Sequence, residues 1–246
     1  MNFLPKQVVA AALVALAGLA STQAGAQVSS AIRNPGFETG LTDWTTAGDA
    51  STSTASFSEG SQALWLSTEA VGDPDGLNAS GTDPLAAGAG LETALGLSDG
   101  ALDTADGWAA EGSLAGQTFT AQEGEVLRFS WNFSTAETST DAAVADYAFV
   151  LLDGSFVSLA SVAQASSSAS AAGYVGETGW RTSWLKLSGS GAHTVYFGVV
   201  DVGDFSVASA LAVDGLAVAV PEPSAAALML AGLGLLGALR RKPGQA

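Results

Sequence analysis

Between residues 126 and 134, Leu127, Phe129, Trp131 and Phe133 alternate with Arg128, Ser130, Asn132 and Ser134. A period of two puts the apolar set on one face of an extended chain and the polar set on the other, which a helix cannot do. Four bulky residues on one face need a second layer to cover them. The pattern therefore predicts an antiparallel sheet with one buried and one wet face. Similar short stretches recur at 28–33, 50–57, 62–68, 116–121, 147–152, 157–162, 180–187, 194–202 and 210–218, punctuated by Gly, Ser, Asp and Asn. Many short strands with little helical periodicity predict an all-β fold, a two-sheet antiparallel sandwich.

Two stretches interrupt the rhythm. Residues 73–111 are rich in Gly, Ala and Asp, with a helical hint only at 91–97, and read as a long flexible loop. Residues 166–172 are Ser and Ala only and read as a loop between strands. In the last strand the apolar parity changes between Leu211/Val213 and Leu216/Val218. That change predicts a β-bulge at Asp214-Gly215.

Both ends of the chain are apolar. Residues 8–20 form a short apolar run after Lys6, and Ala24-Gly25-Ala26 supplies small residues for a signal peptidase, with cleavage after Ala26. At the other end, Val220-Pro221-Glu222-Pro223 precedes an apolar run over 225–239 and then Arg240-Arg241-Lys242. A helix over 224–239 reaches about 24 Å, close to the hydrocarbon thickness of a bilayer. Arg240 and Arg241 would hold its end on the cytoplasmic side. The chain thus divides into a signal peptide (1–26), a β-sandwich ectodomain (27–219) and a C-terminal segment (220–246).

The order Val220-Pro221-Glu222-Pro223, apolar helix, basic tail, behind a signal peptide, resembles the PEP-CTERM sorting signal of Gram-negative bacteria. The resemblance implies recognition and cleavage by an exosortase after transient anchoring in the inner membrane, and delivery to the cell surface, outer membrane or extracellular matrix. It also implies company with exopolysaccharide, biofilm or floc formation.

Composition narrows the function of the middle. Of the 24 acidic residues all but Glu222 lie there, with only Arg33, Arg128, Arg181 and Lys186 against them. Such a surface repels phosphate backbones and excludes nucleic-acid binding. The chain has no cysteine, so the domain relies on its core, and every thiolate chemistry is excluded. Gly232, Gly234 and Gly237 match a dinucleotide-binding spacing but follow no strand, so that reading fails.

Asn34-Pro35-Gly36-Phe37-Glu38, with Gly40 and Trp44, followed by Ser61-Gln62-Ala63-Leu64-Trp65-Leu66, resembles the start of galactose-binding-like jelly-roll modules, many of them carbohydrate-binding. The resemblance implies a jelly roll in which Glu38 and Asp214 hold a structural calcium, helped by carbonyls near Gly40 and Ser61. The plainer alternative is a pair of surface carboxylates.

The remaining residues point less sharply. Trp65 alternates against Leu64 and Leu66 and so faces away from their side, and Trp180 and Trp184 share a face across Thr182. Exposed rings are platforms for sugars, whereas buried ones are ordinary core. Trp131 belongs to the core stripe. Glu137, Asp141 and Asp146 read as solvated loop charges, and His193, the one histidine, as a surface strand residue. No Gly-x-Ser-x-Gly elbow is present, and nothing selects a catalytic pair among the acids. The sequence thus reads as a non-catalytic surface protein that binds extracellular polysaccharide. The alternatives are a structural or adhesive matrix protein and a polysaccharide hydrolase.

Overall fold

The computed structural model describes residues 32–165, 173–219 and 233. Ala24, Ala26, Val220, Pro221, Glu222, Pro223, the helix over 224–239, Arg240, Arg241 and the loop 166–172 lie outside the described residues, as does most of the strand expected at 28–33. Among the described residues no helix is long and apolar enough to cross a membrane.

In chain order the elements are β1 (Thr45–Ala47), β2 (Asp49–Ser53), β3 (Ala63–Ser67), β4 (Leu85–Ala86), α1 (Leu91–Leu95), β5 (Ala109–Ala121), β6 (Val126–Thr135), β7 (Tyr147–Leu152), β8 (Ser155–Ser161), β9 (Gly176–Glu177), β10 (Arg181–Lys186), β11 (Gly191–Val202) and β12 (Ser209–Ala219). They form two antiparallel sheets. One runs β1-β5-β11-β7-β8, with β4 also on β5, and the other runs β10-β6-β12-β3-β2, with β9 also on β6. The fold is the expected all-β sandwich of jelly-roll kind.

The inner faces meet in one apolar layer. Leu127, Phe129, Trp131 and Phe133 of β6 face Val195, Phe197 and Val199 of β11, with Leu64, Leu66, Leu211 and Val213 alongside. The Phe129 and Phe197 rings meet edge-on, centroids 4.9 Å apart. Burying side chains of this size contributes roughly 1.5–3 kcal/mol each. The bulge falls where expected: the β12–β6 register shifts between Asp214 and Ala217, and Gly215 takes φ of 59°. The extra residue keeps Leu216 and Val218 in the core.

The outer faces depart from the expected wet pattern. On β6, Asn132 and Ser134 are buried. Asn132 Nδ2 donates to Glu177 Oε2 at 2.9 Å, and Tyr174 and Trp180 belong to an apolar cluster on that face. Side chains from the 173–180 stretch, which alternation alone does not reveal, form this cover.

The excursion 73–111 carries β4 and α1, and its end is the start of β5. Leu91, Leu95 and Leu102 pack on Tyr147, Phe149, Leu151, Val200 and Val202, closing the outer face of the first sheet. Buried Glu92 holds it together: its carboxylate accepts N–H groups of Gly88 (3.1 Å), Gly100 (2.9 Å) and Leu102 (2.6 Å). Under that cover Gly198 sits opposite Phe149, whose ring occupies the space a methyl group would need.

Candidate functional site

The motif at 34–44 folds into a plug on one end of the sandwich. Phe37 adopts φ of 57°, which turns its ring into the core, 4.8 Å from Trp44. Asn34 fixes the turn, its Nδ2 donating to the carbonyls of Gly40 (2.8 Å) and Thr42 (3.1 Å).

Glu38 and Asp214, separated by most of the chain, are brought to the same loop. Glu38 Oε1 accepts from the N–H groups of Ser61 (2.8 Å) and Gln62 (3.3 Å), and Oε2 accepts from the Ser61 hydroxyl (2.5 Å). Asp214 Oδ2 accepts from the N–H groups of Ser58 (2.8 Å) and Glu59 (2.9 Å) and from the Ser58 hydroxyl (3.0 Å). The two carboxylates latch the β2–β3 turn from either side. The Ser61 hydroxyl and N–H hold Glu38 below the usual carboxylate range. Among the described residues, no group of three or more His, Asp or Glu is placed to hold a metal ion.

The tryptophans separate by environment. Trp65 does point away from the space between the sheets, but it is buried, 5.8 Å from the Tyr174 ring, and is no open platform. A polar cleft of about 330 Å³ lies over it, walled by Ser51, Ser53 and Asn78. Trp180 is half-buried in the same cluster. Trp184 alone of the three is well exposed, with the Arg128 guanidinium 5.7 Å above its ring. The three therefore do not form one surface.

The open aromatic pair is elsewhere. Trp108 and Phe205 are about half exposed, with ring centroids 5.6 Å apart in an edge-on arrangement. They line a cleft of about 450 Å³ shared with Gly88, Asp99, Gly100 and Asp103. Gly203 N–H donates to the Trp108 carbonyl at 2.9 Å, which ties the two loops together. Asp103 Oδ1 accepts the Ala109 N–H at 2.8 Å, fixing the strand start behind Trp108. The sequence signal was Trp108 at the end of a stretch read as loop, and Phe205 in a turn between two strands.

Two further sequence expectations are corrected. His193 is buried, not on the surface: its ring lies 5.8 Å from Phe119 and its Nδ1 is 2.6 Å from Asp153 Oδ2. Asp146 is a core residue rather than a solvated loop charge, because its Oδ1 accepts the Val202 N–H at 2.9 Å.

Residues 219–242 match the PEP-CTERM protein-sorting motif. The chain thus carries a signal for export and surface sorting. No curated protein matches the chain. Among solved structures it is similar to the module TmCBM61 in complex with beta-1,4-galactotriose, at 12% identity and TM-score 0.41, covering 77% of this chain and 97% of that one. It is similar to a carbohydrate-binding module specific for non-crystalline cellulose, at 12% identity and TM-score 0.38, covering 80% and 98%. A third is the K3 adhesin domain of Lys-gingipain from Porphyromonas gingivalis, at 9% identity and TM-score 0.41, covering 77% and 99%.

Proposed function

We propose that this PEP-CTERM protein is a non-catalytic glycan-binding protein of the cell surface or extracellular matrix, and that polysaccharide docks in the cleft between Trp108 and Phe205. The observation that carries the reading is that half-exposed aromatic pair beside the carboxylates of Asp99 and Asp103. Sugar rings present C–H faces that pack on aromatic rings and hydroxyls that donate to carboxylate oxygens. A ligand held mainly by two rings binds weakly, and many surface copies would supply avidity. In this reading the exosortase is a partner during sorting and the extracellular polysaccharide the lasting one, in support of biofilm or floc formation. The test is co-sedimentation of the full-length protein with a panel of insoluble and gelled polysaccharides. Binding that is lost in both W108A and F205A supports the reading. No binding to any member, or release of reducing sugar ends from one, removes it.

A second reading, adhesion between copies, rests on β8. It is an edge strand with exposed Phe156 and Val157, and open edges with apolar side chains pair readily. Light scattering separates the two, since concentration-dependent growth that F156K abolishes, with no polysaccharide present, favours adhesion.

A further inference from the structure

The cations of the domain are gathered in one place. Between residues 27 and 219 they are Arg33, Arg128, Arg181 and Lys186. Arg33 pairs with Asp43, and the other three lie on the adjacent strands β6 and β10. None of those three forms an ion pair among the described residues, although the chain carries 24 acidic residues. Register then sets which of them share a face. Trp184 pairs with Arg128, and Arg128 with Ala217 of β12; Lys186 pairs with Val126, and Val126 with Ala219. Residues paired in register point to the same side of a sheet. Trp184, Arg128 and Lys186 therefore stand together on the outer face of the second sheet, beside the small side chains of Ala217 and Ala219. Trp184 is 58% exposed, Lys186 is exposed too, and the Arg128 guanidinium lies 5.7 Å from the centre of the Trp184 ring.

Charge on an edge strand deters pairing with other chains, and β10 is an edge. Edge protection does not account for this group, because Arg128 lies on β6 inside the sheet and the edge strand β8 of the other sheet carries no charge. Position along the chain does account for it. β12 ends at Ala219, in the same row as Lys186 and two strand spacings away, about 10 Å. Residues 220–224 alone separate Ala219 from the apolar run over 225–239, a reach of at most about 20 Å when extended. The exposed cations and the exposed ring thus lie where the chain would enter a bilayer.

We propose that the Arg128–Trp184–Lys186 patch docks the sandwich on the anionic lipid headgroups of the membrane that holds the 225–239 run, before sorting removes the domain from it. Lipid phosphates accept hydrogen bonds from guanidinium and ammonium groups, and each basic side chain near such a surface adds to the attraction. An amphipathic indole ring settles at headgroup depth. With a net charge of −16 the rest of the chain is repelled by the same surface, so the domain lands on this face alone. The landing also sets what faces outward. β5 and β11 meet the β6 and β10 ends at Ala121 and Gly191, whereas Trp108 precedes the other end of β5 and Phe205 follows the other end of β11. β5 has 13 residues, roughly 40 Å of strand, so the aromatic cleft stands far from the docked surface. The proposal rests on export and on the 225–239 run acting as an anchor, and not on what the cleft binds.

The test uses the full chain reconstituted in lipid vesicles. Because the sequence has no cysteine, T182C carries a single donor dye on the patch face, and energy transfer to acceptor-labelled headgroups reports docking. The expected result is strong transfer in phosphatidylcholine vesicles that contain phosphatidylglycerol and little in phosphatidylcholine alone. It should vanish at about 1 M salt, where the screening length falls to about 3 Å. R128Q and K186Q should each lower the ratio of docked to undocked protein about fivefold. R33Q, the same charge change beside the plug, should leave it unchanged. Lys186 is exposed, so K186Q decides the matter if R128Q does not fold. Transfer that ignores lipid charge, transfer that survives in K186Q, or an equal loss in R33Q overturns the proposal. A chain that does not float with the vesicles also overturns it, since the run is then no anchor, and leaves the glycan reading intact because that reading is tested without membranes. A dye that responds to soluble polygalacturonate but not to vesicles assigns the patch to a carboxylated glycan and overturns it too.

Discussion

The rings of Trp108 and Phe205 meet edge-on at 5.6 Å although they come from loops almost a hundred residues apart, the first leading into β5 and the second following β11. Because both are half exposed and neither belongs to a core cluster, removing either should spare the fold. F205A is expected to weaken polysaccharide binding by about tenfold, roughly 1.4 kcal/mol, with little change in melting temperature. W108A should act in the same direction. Affinity electrophoresis beside a thermal melt reads both quantities, and an unchanged retardation in F205A would move the ligand elsewhere.

Trp65 and Trp184 should behave oppositely despite sharing the second sheet. Trp65 is buried against Tyr174, so W65A opens a cavity and is expected to cost about 3–5 kcal/mol in urea unfolding. Trp184 is exposed on edge strand β10, and W184A should shift stability by no more than about 0.5 kcal/mol. Equal effects would contradict this placement.

What could be read from the sequence follows from the range of each signal. The alternation of Leu127, Phe129, Trp131 and Phe133 is local, and it identified an inner face that the structure confirms. The parity change at Asp214 is equally local, and the bulge is there. The covers on the outer faces are not local. Tyr174 reaches Trp65 from more than a hundred residues away, so alternation labelled a buried ring as outward. Leu91, Leu95 and Leu102 make ordered structure of a Gly- and Ala-rich stretch through contacts with β7 and β11, and buried Glu92 accepts its N–H groups. The row of Asp146, Asp201 and Glu111 comes from β11, β5 and the residue just before β7, and only the fold assembles it. In one dimension each of these acids reads as an ordinary loop or strand-end charge.

The latch is expected to be worth more at Asp214 than its single charge suggests. D214A leaves the N–H groups of Ser58 and Glu59 without their acceptor beside a fully buried position. Lost charge-assisted bonds and stranded donors together should cost about 2–4 kcal/mol. Proteolysis should then begin in the β2–β3 turn, which mass spectrometry of early fragments would detect. Cleavage starting at another loop would argue against the latch.

The acidic row gives the protein an inverted pH dependence on the alkaline side. Burial first, then the charges of Asp73 and Asp83, raise Glu111 from 4.5 to about 7. Burial likewise raises Asp146, partly offset by the Ser209 hydroxyl and the Val202 N–H, and burial together with the Asp146 charge raises Asp201. A raised carboxyl holds its proton in the folded state after the unfolded chain has lost it. Its contribution is therefore complete below the ordinary carboxylate range and is lost as pH rises through the folded value. Glu38, which is lowered, has the opposite sign: its contribution is present above 4.5 and lost only as pH falls below that. Above about pH 5 the row acts together with Glu69 and Glu137, which burial also raises, and opposite to Glu38. In chelator, stability should fall between pH 5 and 8 by up to about 1.4 kcal/mol per pH unit for each proton involved. D201N should flatten that slope because one of the three charges is gone. Melting curves of the wild type and D201N across this range measure both slopes. A wild-type stability that rises steadily from pH 5 to 8 in chelator would mean that these carboxylates are ionised and satisfied by some other route.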